Sequence, residues 1–178
     1  MHSENLSYQD TLAEQLLELA AKAGAEAVEV YQSKSVSRPV FFEANRLKQI
    51  ETSQSEGTAL RLWFEGRPGL TVAYGAVEPQ LMVERALSLS KLSQPEVIEL
   101  ARDFKPQYPD LGENVAVETL VDWGKEAISQ VRDVYPDVIC TGDWECDVET
   151  TRLVNNRGLD CHYTDTTLGC YLSAEWIR

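Results

Sequence analysis

Histidine is nearly missing from this chain: His2 and His162 are the only two in 178 residues. A zinc site of the H-E-x-x-H kind needs two imidazoles one helical turn apart, so that both reach one ion. These two sit at opposite ends of the sequence, so no metal site is assigned. His162 reads as a surface or packed residue on a strand, and His2 as part of a terminus. Glycine signatures are missing too. There is no G-x-G-x-x-G, no G-x-x-x-x-G-K-[ST] and no G-x-S-x-G, which removes support for dinucleotide, P-loop and serine-hydrolase sites. Cys161 and His162 are neighbours on a predicted strand and point to opposite faces, so they make a poor nucleophile–base pair. No catalytic or cofactor-binding residue is assigned, and a stand-alone enzyme built on Cys161 or His162 is not supported.

Positive charge is scarce. Sixteen Lys and Arg stand against 29 Asp and Glu, a net charge of −13. Such a surface repels phosphate backbones, and no basic stretch offsets it, so a nucleic-acid partner is not expected. No apolar run approaches the roughly 20 residues that span a bilayer. The opening Met1-His2-Ser3-Glu4-Asn5 has neither the basic nor the apolar part of a signal peptide, so the expected location is the cytoplasm, with no membrane partner. Four cysteines (Cys140, Cys146, Cys161, Cys170) fall in the last quarter of the chain without C-x-x-C spacing. In a reducing compartment they are expected as free thiols that pack like small apolar residues.

What is present is a globular composition, 43% hydrophobic and 25% charged. After Ser7, a plausible N-cap, Leu12, Leu16, Leu19, Ala20 and Ala23 recur at helical spacing and Gly24 supplies a stop. From Ala27 to Gly75 the period changes to two. Val28 and Val30, Val40 to Glu43, Leu47 to Thr52, Leu60 to Phe64 and Leu70 to Tyr74 read as strands with a turn at Asn45-Arg46 and another at Gly66–Gly69. Short turns favour an antiparallel meander. A second helix follows Glu78-Pro79, with Met82, Val83, Ala86, Leu87 and Ser90 on one face. A third, from about Val115 to Asp133, buries Val117, Leu120, Val121, Gly124, Ile128 and Val131. A second strand set carries Trp144, Cys146 and Val148, the turn Asn155–Gly158, then Leu159 to Tyr163 and Leu168 to Trp176.

These elements predict an α+β fold, antiparallel β-meanders packed with three main helices, the chain ending within a second sheet. Residues 1–95 are expected as a helix–meander–helix domain, 96–114 as a proline-bearing connection, and 115–178 as a helix plus meander that starts the following region. The alternating run that reaches Trp176 suggests a fragment, or a fold completed by another chain. Two interaction surfaces are candidates. Asp143, Glu145, Asp147 and Glu149 share one strand face at spacings of about 6.5–7 Å, too far apart for neighbours to clasp an ion unaided. They could be solvated, dock a basic partner or peptide, or pair across strands with Arg152 or Arg157. An open sheet edge could accept an extended peptide by strand addition.

Several stretches together resemble one family. They are Ala25-Glu26-Ala27-Val28-Glu29-Val30-Tyr31, Phe42 to Lys48, Glu56 to Leu62, Glu65 to Gly69, and Leu153-Val154-Asn155-Asn156-Arg157-Gly158-Leu159. In order and spacing they resemble the amino-terminal region of the TldD/PmbA family, once labelled modulators of DNA gyrase, and lie closer to the PmbA (TldE) branch. In the last stretch Asn156 stands where the family's turn usually has serine. The resemblance implies a share in cytosolic peptide maturation and proteolysis, in a complex with a TldD-like subunit or a self-associated one acting on a peptide substrate. It implies zinc, held by an H-E-x-x-x-H motif, for the TldD-type partner only. No zinc residue of the family maps onto this chain, which alone is expected to be inactive. The alternative is a non-enzymatic peptide- or protein-interaction module using the acidic strand face or an open edge.

Overall fold

The computed structural model describes residues 4–108, 110 and 112–176. Their elements run α1 (Glu4–Lys22), β1 (Ala27–Ser37), β2 (Val40–Glu43), β3 (Arg46–Ile50), β4 (Ser53–Phe64), β5 (Arg67–Tyr74), α2 (Pro79–Ser90), β6 (Gln107–Tyr108), α3 (Val117–Val134), β7 (Val138–Asn155) and β8 (Asp160–Trp176). This is the α+β architecture that the alternation of periods predicts. Two compact units share it, one made of Met1–Lys34, Ser55–Pro109 and Thr150–Thr164, the other of Ser35–Gln54, Asp110–Glu149 and Asp165–Arg178. Strands β1, β4, β7 and β8 are long enough to contribute to both.

In the first unit the strand order is β7-β1-β4-β5. Leu60 and Leu62 of β4 pair with Thr71 and Gly69 of β5 in antiparallel register. The inward residues of these strands meet the apolar stripes of α1 and α2 in one core that includes Leu12, Leu16, Ala20, Val28, Leu60, Leu62 and Val83. Helix α1 stops where Gly24 takes a φ of 89° and Gly24 N and Ala25 N donate to Ala21 O and Ala20 O, the paired bonds of a Schellman end. Its start differs from the expectation. Ser7 lies inside the helix, which begins at Glu4. A serine costs only about 0.5 kcal/mol within a helix, so packing of the stripe can carry the helix through it. Helix α2 begins at Pro79, and the Glu78 carboxylate accepts from Leu81 N at 2.6 Å.

The connection between α2 and α3 has little periodicity yet is anchored. Leu100 and Ile98 join Ala27 and Trp63 in a small separate core. Trp63 Nε1 donates to Glu96 Oε1 at 2.8 Å, and β6 pairs with β8 in parallel, Gln107 opposite His162. Short anchors of this kind leave no period to read.

In the second unit the order is β3-β2-β7, and β8 also pairs with β7. Helix α3 buries Leu120, Val121, Gly124 and Ile128. These meet Val40, Phe42, Cys140, Trp144 and Cys146. The rings of Phe42 and Trp144 meet edge to face, 5.3 Å apart. Gly124 is required there, because a Cβ would overlap the Phe42 ring. The β2–β3 turn is Ala44-Asn45, both with positive φ, one residue earlier than expected. Asn45 ties it to β7 by accepting from Cys140 N at 2.7 Å and donating to Val138 O.

Candidate functional site

Period two places Asp143, Glu145, Asp147 and Glu149 on one face of β7, opposite the face that carries Trp144 and Cys146 into the core. The structure brings these acids together but does not leave all of them in open solvent. Asp143, Glu145 and Asp147 are half-buried, Glu149 is exposed, and Asp147 Oδ1 is sealed from solvent without a hydrogen-bond partner. Gly169 of β8 lies over Glu145, where a Cβ would come within 3.1 Å of its carboxylate. Burial first, then the charges of Asp147 and Asp143, hold the Glu145 carboxyl above the ordinary carboxylate value.

A raised acid binds its proton more tightly folded than unfolded, so stability falls as pH rises from the ordinary value of 4.5 through the raised one. Glu145→Gln is therefore expected to melt at a higher temperature than the parent at neutral pH. The two should converge at about pH 4, where the parent's carboxyl is protonated. Parallel melts at the two pH values check this, and an equal gap at both would contradict it.

Arg152 and Arg157, the candidate cross-strand partners of these acids, are engaged elsewhere. Arg152, with its side chain 10% exposed, donates to Asp160 Oδ1 at 3.1 Å and Oδ2 at 3.2 Å, and reaches Glu14 at 3.4 Å. Arg157 donates to Glu26 O at 3.3 Å. A forked guanidinium satisfies both oxygens of one carboxylate, and Asp160, eight residues on across the β7–β8 turn, supplies it. The Arg152 hydrogen bond, opposed by burial and helped by the charges of Arg152, His162 and Lys105, holds Asp160 below its usual value.

His162 Nε2 lies 3.1 Å from Asp160 Oδ1. His2 falls outside the described residues. The imidazole and carboxylate that do meet are not a fit for zinc, because the guanidinium that occupies Asp160 would repel a divalent ion. Among the described residues no group of three or more His, Cys, Asp and Glu is placed to hold a metal. The thiol expectation divides. Cys140 and Cys146 are buried and pack in the core, whereas Cys161 is half-buried and Cys170 exposed. The reason lies in β8, which is largely exposed along its second half.

Asn155–Gly158 is predicted as a turn within a stretch that also carries the family resemblance. The structure makes it a junction. Asn155 Oδ1 accepts from Arg157 N at 2.8 Å and Leu159 N at 3.1 Å, and its Nδ2 donates to Ala101 O at 2.9 Å. Asn156 Oδ1 accepts from Val28 N at 3.1 Å, and Asn156 N donates to Val28 O. An amide side chain at this position bridges to β1.

A groove also missed by residue patterns lies in the first unit. It measures about 840 Å³ and runs between β5 and α2, with Leu70, Val72, Leu81 and Leu89 in its lining. No helix among the described residues is long and apolar enough to cross a membrane.

The fold class is thus α+β, with mainly antiparallel strands and three helices among the described residues. Residues 28–90, from β1 through α2, match the family model for PmbA/TldA metallopeptidase domain 1, in agreement with the resemblance to the amino-terminal region of the TldD/PmbA family. Solved structures share the fold. TldE from Thermococcus kodakarensis matches 94% of this chain and 40% of its own at 19% identity, with a TM-score of 0.77. A protein described as a modulator of DNA gyrase from Bacteroides thetaiotaomicron matches 97% and 41% at 14% identity, TM-score 0.79. A second so described, from Thermotoga maritima, matches 93% and 42% at 16% identity, TM-score 0.73. The chain therefore spans about two fifths of the length of each of these structures. No curated protein matches it.

Proposed function

We propose that this chain is the amino-terminal portion of a PmbA/TldE-like subunit in a TldD-type zinc metallopeptidase complex of the cytoplasm, and serves peptide maturation or proteolysis without supplying the metal. The observation that carries the reading is the match of residues 28–90 to the first domain of that family. The donor chemistry agrees with it. The chain has two histidines, and the imidazole seen here is bound to a carboxylate already taken by Arg152. In this reading the chain contributes a folded platform and protein contacts, and a TldD-like subunit supplies zinc and hydrolysis. The test is peptide cleavage by the purified chain, by a TldD-type subunit, and by the two mixed. The chain alone is expected to leave peptides intact and to co-elute with the TldD-type subunit. Cleavage by the chain alone, or no association on mixing, would contradict the proposal.

A further inference from the structure

Arg61, Trp63 and Glu29 form a closed trio in the first unit. The Arg61 guanidinium lies 4.9 Å from the centre of the Trp63 ring and donates to the Glu29 carboxylate. An indole face attracts a cation through its quadrupole, and a carboxylate accepts the forked N–H groups of a guanidinium. Side by side, the two select arginine.

The second unit holds the aromatic and acidic parts of such a trio in a pocket of about 280 Å³. Helix α3 lines one side with Trp123, Glu126 and Gln130, which share a stripe at spacings of three and four. Strands β7 and β8 line the other with Trp144 and Leu168. Trp144 is buried and packs edge to face on Phe42, whereas Trp123 is 41% exposed and open to a ligand. Gln130 Nε2 donates to Glu126 Oε1 at 3.1 Å and so orients the carboxylate. The lining includes no lysine or arginine, and the adjacent Lys125 lies 3.9 Å from Asp122.

Size and charge narrow the occupant. Sites for drug-sized ligands run to roughly 300–1,000 Å³, so this pocket suits a single side chain. A neutral side chain could cover the indoles but would leave the Glu126 charge unmet. A lysine ammonium would meet the charge as a point, without the flat face that stacks on an indole. Arginine supplies both.

We propose that this pocket binds an arginine side chain of a peptide, stacked on Trp123 and forked onto Glu126. The proposal does not rest on the peptidase reading, since the pocket and its charge are present whatever the longer protein does. The chain's net charge of −13 draws a basic peptide toward it at long range.

Titration of the isotope-labelled chain with a short glycine–serine peptide carrying one central arginine tests it, followed by NMR at the indole and backbone N–H groups. The same peptide with citrulline keeps the shape and removes the charge. The arginine peptide is expected to give saturable shifts at Trp123, Ala127 and Leu168 that weaken as salt rises. Citrulline should bind about tenfold or more weakly, and Glu126→Gln should cost the arginine peptide a similar factor. Trp123→Leu, read at the backbone groups, should weaken it about threefold or more. Both positions are exposed, and unchanged thermal melts would show that each variant folds. No shift at any peptide concentration would overturn the proposal. So would equal binding of the arginine and citrulline peptides, or arginine binding that either variant leaves intact.

Discussion

Gly69→Ala is expected to be among the most damaging single substitutions in the first unit, costing about 3–5 kcal/mol. Gly69 lies on β5 directly beneath α2. A Cβ there would overlap Ala86 O and stand 2.9 Å from the Ala86 carbonyl carbon and 3.0 Å from Ser90 N. All three obstacles are backbone atoms of one helix, so no side chain can rotate away. The helix must lift from the strand or the strand must bend. Lifting α2 uncovers Met82, Val83 and Ala86, which are buried in the core shared with α1. It also breaks the bond from Thr71 Oγ1 to Met82 O. Gly57→Ala is the matched control. Its Cβ would meet nothing nearer than the Tyr74 ring at 3.4 Å, an ordinary contact with an exposed side chain. Urea unfolding of both variants should show a large drop in midpoint for Gly69→Ala and one of at most about 1 kcal/mol for Gly57→Ala. Equal midpoints would show that the helix does not press on β5 at Gly69.

Asn155→Ala is expected to cost about 2–4 kcal/mol, because three bonds converge on one side chain that is 5% exposed. Its loss strands Arg157 N and Leu159 N, and frees Ala101 O from the connection that crosses the first unit. A buried amide left unpaired costs more than a bond's net contribution, and here more than one group is left. Hydrogen exchange distinguishes this from a uniform loss of stability. Protection should fall first at Arg157, Leu159 and the residues near Ala101. A variant with parental urea midpoint and parental protection would remove Asn155 from this role.

The asymmetry between these sites and the ones legible in the sequence has a physical cause. Local periodicity reports what one element does with its own faces. Leu12, Leu16 and Ala20, the alternation through Leu60 to Phe64, and the stripe of α3 from Leu120 to Ile128 were all readable for that reason, and so was the shared face of Asp143, Glu145, Asp147 and Glu149. The half-burial of three of those acids was not, because it depends on how β8 lies beside β7. The polar start of β4, Ser53 to Ser55, is exposed and has no apolar alternation to mark it. β6 is two residues long and held by pairing with a strand more than fifty positions away. An open sheet edge was foreseeable, but that it is β5 follows only from the order of the strands. That order is set by long-range pairing. The chain's resemblance to the TldD/PmbA family lay in the order of several weak stretches, and the family match at residues 28–90 agrees with it.

On the proposed function, this polypeptide supplies structure and contacts to a metallopeptidase whose metal is held by another subunit. Zinc content of the purified chain, loaded with excess zinc and then passed through gel filtration, tests it most directly. A content far below one ion per chain is expected, since among the described residues the His162 imidazole and a carboxylate held by Arg152 offer no closed set of ligands. One ion retained per chain, lost on exchange of His162 for alanine, would contradict the account.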